Sequence, residues 1–244
     1  MVTRLTIEYD GTGFAGWAVQ PGQRTVQGEL QAALTTLLRE PVALAVAGRT
    51  DAGVHAWGQV AAYPGPPVRL ASLNALLGPD VAALSCQETH PRFDPRADAL
   101  ARTYCYTVLA RSAPSAFRRH TALHWPYRCD RDLLHACAAS LPGAHDFTAF
   151  TLTDTEHRWF TRTVETAEWR ERGDVLELWI TADAFLRHMN RTLVGTMLEV
   201  AQGRRALDDF VALLAGAHRR DAGHTAKPHG LALAAVRYPA VTTI

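Results

Sequence analysis

A carboxylate that does chemistry has to be held, charged, where a substrate can meet it. The segment Ala47-Gly48-Arg49-Thr50-Asp51-Ala52-Gly53-Val54-His55-Ala56 has the parts for that. Gly48 and Gly53 permit backbone turns closed to other residues. Between them stands one carboxylate, Asp51, with the Arg49 guanidinium two residues before it and the His55 imidazole four residues after. An opposite charge nearby favours the ionised form of a carboxylate. That form suits a nucleophile and does not suit a general acid. The same residues also fit an ordinary hairpin stabilised by an Asp–Arg pair, and the local pattern alone leaves the two readings balanced.

Other candidate motifs carry less. Gly11-Thr12-Gly13-Phe14-Ala15-Gly16 matches GxGxxG directly after a strand-like segment. The dinucleotide fingerprint needs a helix that starts within its glycines, so that the helix N-terminus faces a pyrophosphate. Here Pro21-Gly22 intervenes and helical periodicity begins near Val26, which leaves a surface loop or a loop that touches substrate. Arg172-Gly173-Asp174 reads as a hairpin turn. The 11 histidines, His218, His224 and His229 among them, show no HExxH or Cys/His ligand spacing, and no metal site is expected. Cys86, Cys105, Cys129 and Cys137 form no CxxC pair and read as reduced, mostly buried thiols.

Net charge is only +1, and Lys227 is the single lysine among the fixed cations. Arginine forks match phosphates and stack on bases. With so small an overall excess, any RNA site has to be a local patch. Arg96, Arg118, Arg119, Arg204, Arg205, Arg219 and Arg220 are the candidates. Apolar residues make up 48% of the 244, enough for a substantial core. No apolar run approaches the roughly 20 residues of a membrane helix, and the N-terminus lacks a signal peptide's apolar stretch. A cytoplasmic location follows as the expectation.

The elements that must position Asp51 are legible from periodicity. Residues 2–9 alternate and predict a strand with Leu5, Ile7 and Tyr9 on one face. Thr25 can cap a helix carrying Val26, Leu30, Leu34, Leu37 and Leu38, stopped by Pro41. Strands fit Val42 to Ala47 and Trp57 to Tyr63, with the Asp51 loop between them. A short helix over Leu70, Leu73, Leu76 and Leu77 and a strand at 81–89 complete the half. The second half repeats the order. It has a strand from Arg102 to Leu109, an Asp130-capped helix carrying Leu133, Leu134 and Cys137, and strands at 162–170 and 175–182. A long helix at about 185–201 ends at Gly203, a further one spans Leu207 to Leu214, and a strand from Leu231 to Tyr238 closes the half. Each half therefore reads β-α-β-β-α-β, with an extra helix in the second, which is the ferredoxin-like order. The expectation is an α+β fold of two ferredoxin-like halves, residues 1–100 and 101–244, sharing a continuous, mostly antiparallel sheet. Helices would cover one face and leave the other free to line a cleft.

Gly48-Arg49-Thr50-Asp51-Ala52-Gly53-Val54-His55 resembles the signature of the tRNA pseudouridine synthase A family. Further segments resemble that family in order along nearly the whole chain. They are Ile7-Glu8-Tyr9-Asp10-Gly11-Thr12 with Gly16-Trp17, then Arg102-Thr103-Tyr104-Cys105-Tyr106, then His145-Asp146-Phe147-Thr148-Ala149-Phe150. Ala184-Phe185-Leu186-Arg187-His188-Met189-Asn190-Arg191 and Thr225-Ala226-Lys227-Pro228-His229-Gly230-Leu231 follow. The chain departs from the family pattern at Asn190, Thr192, Lys227 and Ala18-Val19, none of which falls on Asp51, Tyr104 or Arg191.

The resemblance implies the pseudouridine synthase fold with a central RNA-binding cleft, and the isomerisation of uridine at positions 38–40 of the tRNA anticodon arm. It implies a homodimer with one tRNA spanning both subunits. Asp51 would be the nucleophile, Tyr104 would pack against the target uracil, Arg191 would pair with the Asp51 carboxylate, and Arg49 would contact the RNA. Read alone, Tyr104 and Tyr106 fit a core stripe on a strand, and Arg187 with Arg191 fits a solvated helix face. The reaction is redox-neutral and brings in no outside group, so no cofactor is expected. Whether Asp51 bonds to the sugar, attacks the base or abstracts a sugar proton stays open. The alternatives in function are a non-catalytic tRNA-binding module and a hydrolase that releases free uracil.

Overall fold

The computed structural model describes residues 1–153 and 159–239. The chain forms two compact units, Met1–Leu100 with the segment from Ala232, and Ala101–Leu231. Its architecture is mixed α+β with mostly antiparallel strand pairing.

In the first unit, β1 (Val2–Tyr9) buries Leu5, Ile7 and Tyr9, as its alternation requires. It lies between β3 (His55–Pro64) and β4 (Val81–Thr89) and is antiparallel to both. Helix α1 (Val26–Leu38) starts where the Thr25 hydroxyl accepts from Gly28 N at 3.3 Å. It ends at Arg39, which takes a left-handed turn at φ 60° ahead of Pro41. Val26, Leu30, Ala33 and Leu34 form its buried stripe. Helix α2 (Leu70–Leu76) anchors through Leu73. The strand expected from Val42 to Ala47 shrinks to β2 (Ala45–Val46), which pairs with β3 at Ala62 and Ala61.

In the second unit, β5 (Ala101–Leu109) is buried at every position but Thr103 and pairs antiparallel with β9 (Val175–Ala182). β9 pairs antiparallel with β8 (Thr161–Arg172), and β8 with β7 (Gly143–Asp146). Arg172 faces Val175 across the hairpin and Gly173 turns at φ 62°, so the Arg-Gly-Asp tripeptide is a turn. The two-residue β6 (Leu123–His124) runs parallel to the end of β5. Helix α3 (Arg131–Ala139) is capped by Asp130, whose carboxylate accepts from Leu133 N at 3.3 Å.

Helix α4 (Met189–Ala201) buries every residue except Arg191 and Glu199. It starts four residues later than the apolar pattern indicates, because His188 sits in the left-handed region at φ 65° and breaks the run from Phe185. Arg187 therefore precedes the helix, and the expected one-turn stacking of Arg187 on Arg191 does not occur. Helix α5 (Leu207–Ala212) follows. The closing strand β10 (Leu231–Arg237) was expected to complete the second half. Its Ala232 and Leu233 pair in parallel with His55 and Ala56, so it extends the first unit's sheet. The four cysteines are free thiols, with Cys105 and Cys137 buried.

Candidate active site

The loop carrying Asp51 joins β2 to β3, and a second loop, residues 11–17, grips it by its backbone. Trp17 N donates to Thr50 O at 3.0 Å and Gly53 N donates to Phe14 O at 3.3 Å. Within the turn itself, Val54 N donates to Asp51 O at 3.1 Å. The approach is too close for side chains. A Cβ on Gly11 would lie 2.0 Å from Val54 O, and one on Gly16 (φ 95°) would lie 2.9 Å from Thr50 O. Two of the glycines in the apparent GxGxxG are thus explained by contact with the Asp51 loop. No helix starts among them, since α1 begins at Val26. The turn itself requires Gly53, at φ 75°; Gly48 has no positive φ.

Beneath the loop lies a buried polar network. Gln59 is fully buried on β3, and its Nε2 donates to Gly48 O at 2.7 Å and to the Tyr9 hydroxyl at 3.3 Å. The Tyr9 oxygen accepts that bond, which directs its own hydrogen to Thr50 Oγ1, 2.7 Å away. Burial pushes the Tyr9 phenol up to about 12, so it remains a neutral donor. A buried network whose members satisfy one another is stiff. Thr50, the residue next to Asp51, is fixed by it.

His55, at the start of β3, is buried and faces both Gly11 N (3.0 Å) and Asp10 Oδ1 (3.1 Å) through Nδ1. One ring nitrogen cannot accept and donate at once. The amide can only donate, so Nδ1 is the acceptor. Asp10 Oδ1 is already supplied by Thr12 N at 2.9 Å and Thr12 Oγ1 at 2.5 Å. His55 therefore holds Gly11, and through it the gripping loop.

Asp51 is half-buried, whereas Arg49 is exposed and makes no ion pair among the described residues. The Asp51–Arg49 pair that would reduce this loop to an ordinary hairpin is not formed.

In the second unit, Tyr104 lies on β5, 8% exposed, with Phe185 edge-on at 4.9 Å between ring centroids. Tyr106, two residues on, is structural. Its hydroxyl donates to Lys227 O at 2.7 Å, and a Cβ on Gly230 would press within 2.7 Å of its ring. Arg191 stands in the first turn of α4 and is locked to the segment beside it. Arg191 Nε donates to Ala226 O at 2.8 Å, and Ala226 N donates back to Arg191 O at 3.0 Å. Gly195 lets this segment lie against α4, for a Cβ there would overlap His224 O at 1.8 Å. Asp51 and Arg49 thus share one loop of the first unit, and Tyr104 and Arg191 belong to the second.

Two of the arginines expected to meet RNA have internal duties. Arg205 bonds Glu199 at 3.1 Å, and Arg219 bonds Gly223 O at 3.0 Å and Thr225 Oγ1 at 2.9 Å. Arg96, Arg118, Arg119, Arg204 and Arg220 are exposed. Gln59 is the support that sequence reasoning overlooked, whereas Tyr9, His55 and Ala226 stand in the motifs without this role being visible. Only Gln59, an amide in an otherwise apolar buried strand, carries a signal in the sequence. Among the described residues, no group of three His, Cys, Asp or Glu side chains could hold a metal, and no helix is long and apolar enough to cross a membrane.

Residues 137–239 match the family model described as tRNA pseudouridine synthase. Over nearly its whole length the chain is similar to proteins named tRNA pseudouridine synthase A. That of Bacillus pumilus is 40% identical, covering 98% of this chain and 99% of the relative. That of Geobacter sp. (strain M21) is 40% identical over 97% and 98% of the two chains, and that of Myxococcus xanthus 41% over 96% and 91%.

Proposed function

The chain belongs to the tRNA pseudouridine synthase A family, and on that premise we propose that it isomerises uridine to pseudouridine in the anticodon arm of tRNA, at positions 38–40, with Asp51 as nucleophile. The reaction breaks the N1–C1′ glycosidic bond, turns the uracil and rejoins it through C5. Bond cleavage at an anomeric carbon needs a carboxylate to capture or stabilise the sugar or to engage the base. The nucleotide must leave its stack to reach that carboxylate, at a cost of a few kcal/mol.

The observation that carries this reading is the fixation of the Asp51 loop from two sides. The 11–17 loop holds its backbone and the Tyr9–Thr50–Gln59 network holds its underside. So much preorganisation around one half-buried carboxylate is superfluous in a hairpin and useful in catalysis. Tyr104 takes the role of packing against the target uracil, Arg191 that of counter-charge to the carboxylate, and Arg49, exposed beside Asp51, that of an RNA contact. Oxidation states do not change and the base returns to its own sugar, so neither a metal nor a nucleotide cofactor enters the scheme. A homodimer working in the cytoplasm on tRNA completes the proposal.

Incubation of the purified protein with unmodified tRNA, followed by mapping of modified positions, tests it. Pseudouridine at positions 38–40 is expected, with no free uracil. Binding without product would establish a non-catalytic RNA-binding module, and uracil release would establish a hydrolase.

A further inference from the structure

Between β5 and β6 the chain passes through a loop at 110–122 that is shaped by its own hydrogen bonds. Arg111 Nε donates to Ala113 O at 2.9 Å, Arg119 Nη1 donates to Ala116 O at 2.6 Å, and Arg118 N donates to Ser115 Oγ at 3.3 Å. Thr121 N and Ala122 N close the turn on Arg118 O at 3.1 and 3.0 Å. This framework presents Phe117 outward, 98% exposed. Burying a phenylalanine is worth about 1.5–3 kcal/mol, so a turn that holds one in solvent contributes nothing to folding through it.

The charge along the chain on either side of the ring is one-sided. From Ala99 to Cys129 the sequence has no acidic residue and has five arginines, in a chain whose net charge is +1. Arg118 and Arg119 directly follow the ring and are exposed. Asp174 approaches this loop only at its base, 3.9 Å from Arg111 Nη1.

We propose that Phe117, Arg118 and Arg119 form an RNA-contact site distinct from the catalytic loop, a reading that rests on tRNA being the substrate. The phenyl ring stacks on an unpaired base, and the two guanidiniums take the phosphates flanking it. An aromatic face accepts any base, and arginine forks fit phosphate oxygens. An apolar anchor for a protein partner would be set among apolar neighbours, whereas this one is set between small residues and cations. The local patch that a nearly neutral chain needs for a polyanion is met here.

The test compares wild type with F117A, F117W and the double variant R118A/R119A, using full-length unmodified tRNA. F117A is expected to raise KM about tenfold, within the range for loss of one stacked base, with kcat unchanged, and F117W is expected to restore KM. R118A/R119A is expected to lower the slope of log affinity against log salt by about 1.5, for two phosphates released, whereas F117A leaves that slope alone. Wild-type KM in F117A, or an unchanged salt slope in R118A/R119A, would overturn the proposal. So would an F117A whose sedimentation shifts while KM does not, since the surface would then belong to a second copy of the chain. If the wild type itself forms no pseudouridine, the catalytic reading fails separately. Direct titration of the same variants with tRNA still decides whether Phe117 contacts RNA.

Discussion

In the proposed role Asp51 serves only as far as its backbone is fixed, and most of the fixing is done by residues to which the proposal gives no part in bond making. His55 is the clearest case. Its Nδ1 takes the Gly11 amide at 3.0 Å, and Gly11 opens the loop whose Phe14 and Trp17 hold Gly53 and Thr50. Misplacing a catalytic group by about 1 Å can cost on the order of 100-fold. His55→Ala is therefore expected to lower kcat by roughly 10- to 100-fold while KM for tRNA stays within about twofold. His55→Asn, whose Oδ1 can stand near the lost Nδ1, should recover most of it. Steady-state kinetics on the two variants decides this, and an alanine variant with wild-type kcat would remove His55 from the support of the loop. The tyrosines show how little residue type alone reveals. Tyr104 and Tyr106 share a strand and an alternation pattern, yet Tyr106 is committed to Lys227 O and Gly230.

At the scale of elements, the strands and helices with clean periodicity were legible, because burial on one face writes itself into spacing. β1, α1 and β9 needed nothing beyond their own alternation and caps. What the spacing hid was set by backbone contacts between distant segments. The left-handed His188 that delays α4 leaves no periodic trace. Nor could spacing show that Gly11 and Gly16 serve to bring one loop against another.

Gly195 is the same device in the second unit. Alanine favours helix by about 1 kcal/mol over glycine, but here its Cβ would meet the His224 carbonyl at 1.8 Å. Overpacking of that kind typically costs about 1–3 kcal/mol, occasionally more. Gly195→Ala is therefore expected to lower Tm by several degrees, on the scale of roughly 2–4 °C per kcal/mol for a chain of this size. A rise in Tm on calorimetry would show that the segment at 224 yields freely.

The turn into α1 carries a pH-dependent tie to β4. Arg24 bonds both oxygens of Asp80, at 2.5 and 2.7 Å, and holds that carboxyl below the usual carboxylate range. A depressed folded-state value means that this stabilisation is present above the unfolded value, near 3.9, and is lost as pH falls through the folded one. The stability gap between wild type and Asp80→Asn should be open at neutral pH and begin to narrow below about pH 4, closing as pH falls through the folded-state value. A gap in thermal melts that stays constant from neutral pH down to pH 3 would show that the pair does not couple to folding.

For the molecule as a whole, the near-neutral charge was the feature least informative in the sequence, since counting arginines does not reveal which are committed internally. Arg219 stabilises the segment that locks Arg191 and Arg205 pairs with Glu199 of α4, whereas Arg118, Arg119, Arg204 and Arg220 remain exposed. Partition of the cations between scaffold and surface lets a chain of net charge +1 keep a local attraction for a polyanion. The order of motifs along the chain was legible because each is short and contiguous. The supports of Asp51 come from Tyr9, Gly11, Trp17, His55 and Gln59, spread over the first unit, and they gather only on folding.

The most direct measurement is single-turnover conversion of unmodified tRNA by wild-type protein and by Asp51→Asn, alongside tRNA binding by both. The substitution keeps the side chain's size and removes its charge. Wild type should convert the tRNA, and the variant should bind it with similar affinity and form no detectable pseudouridine. An Asp51→Asn protein that converts tRNA at the wild-type rate would contradict the assignment of the chemistry to this carboxylate.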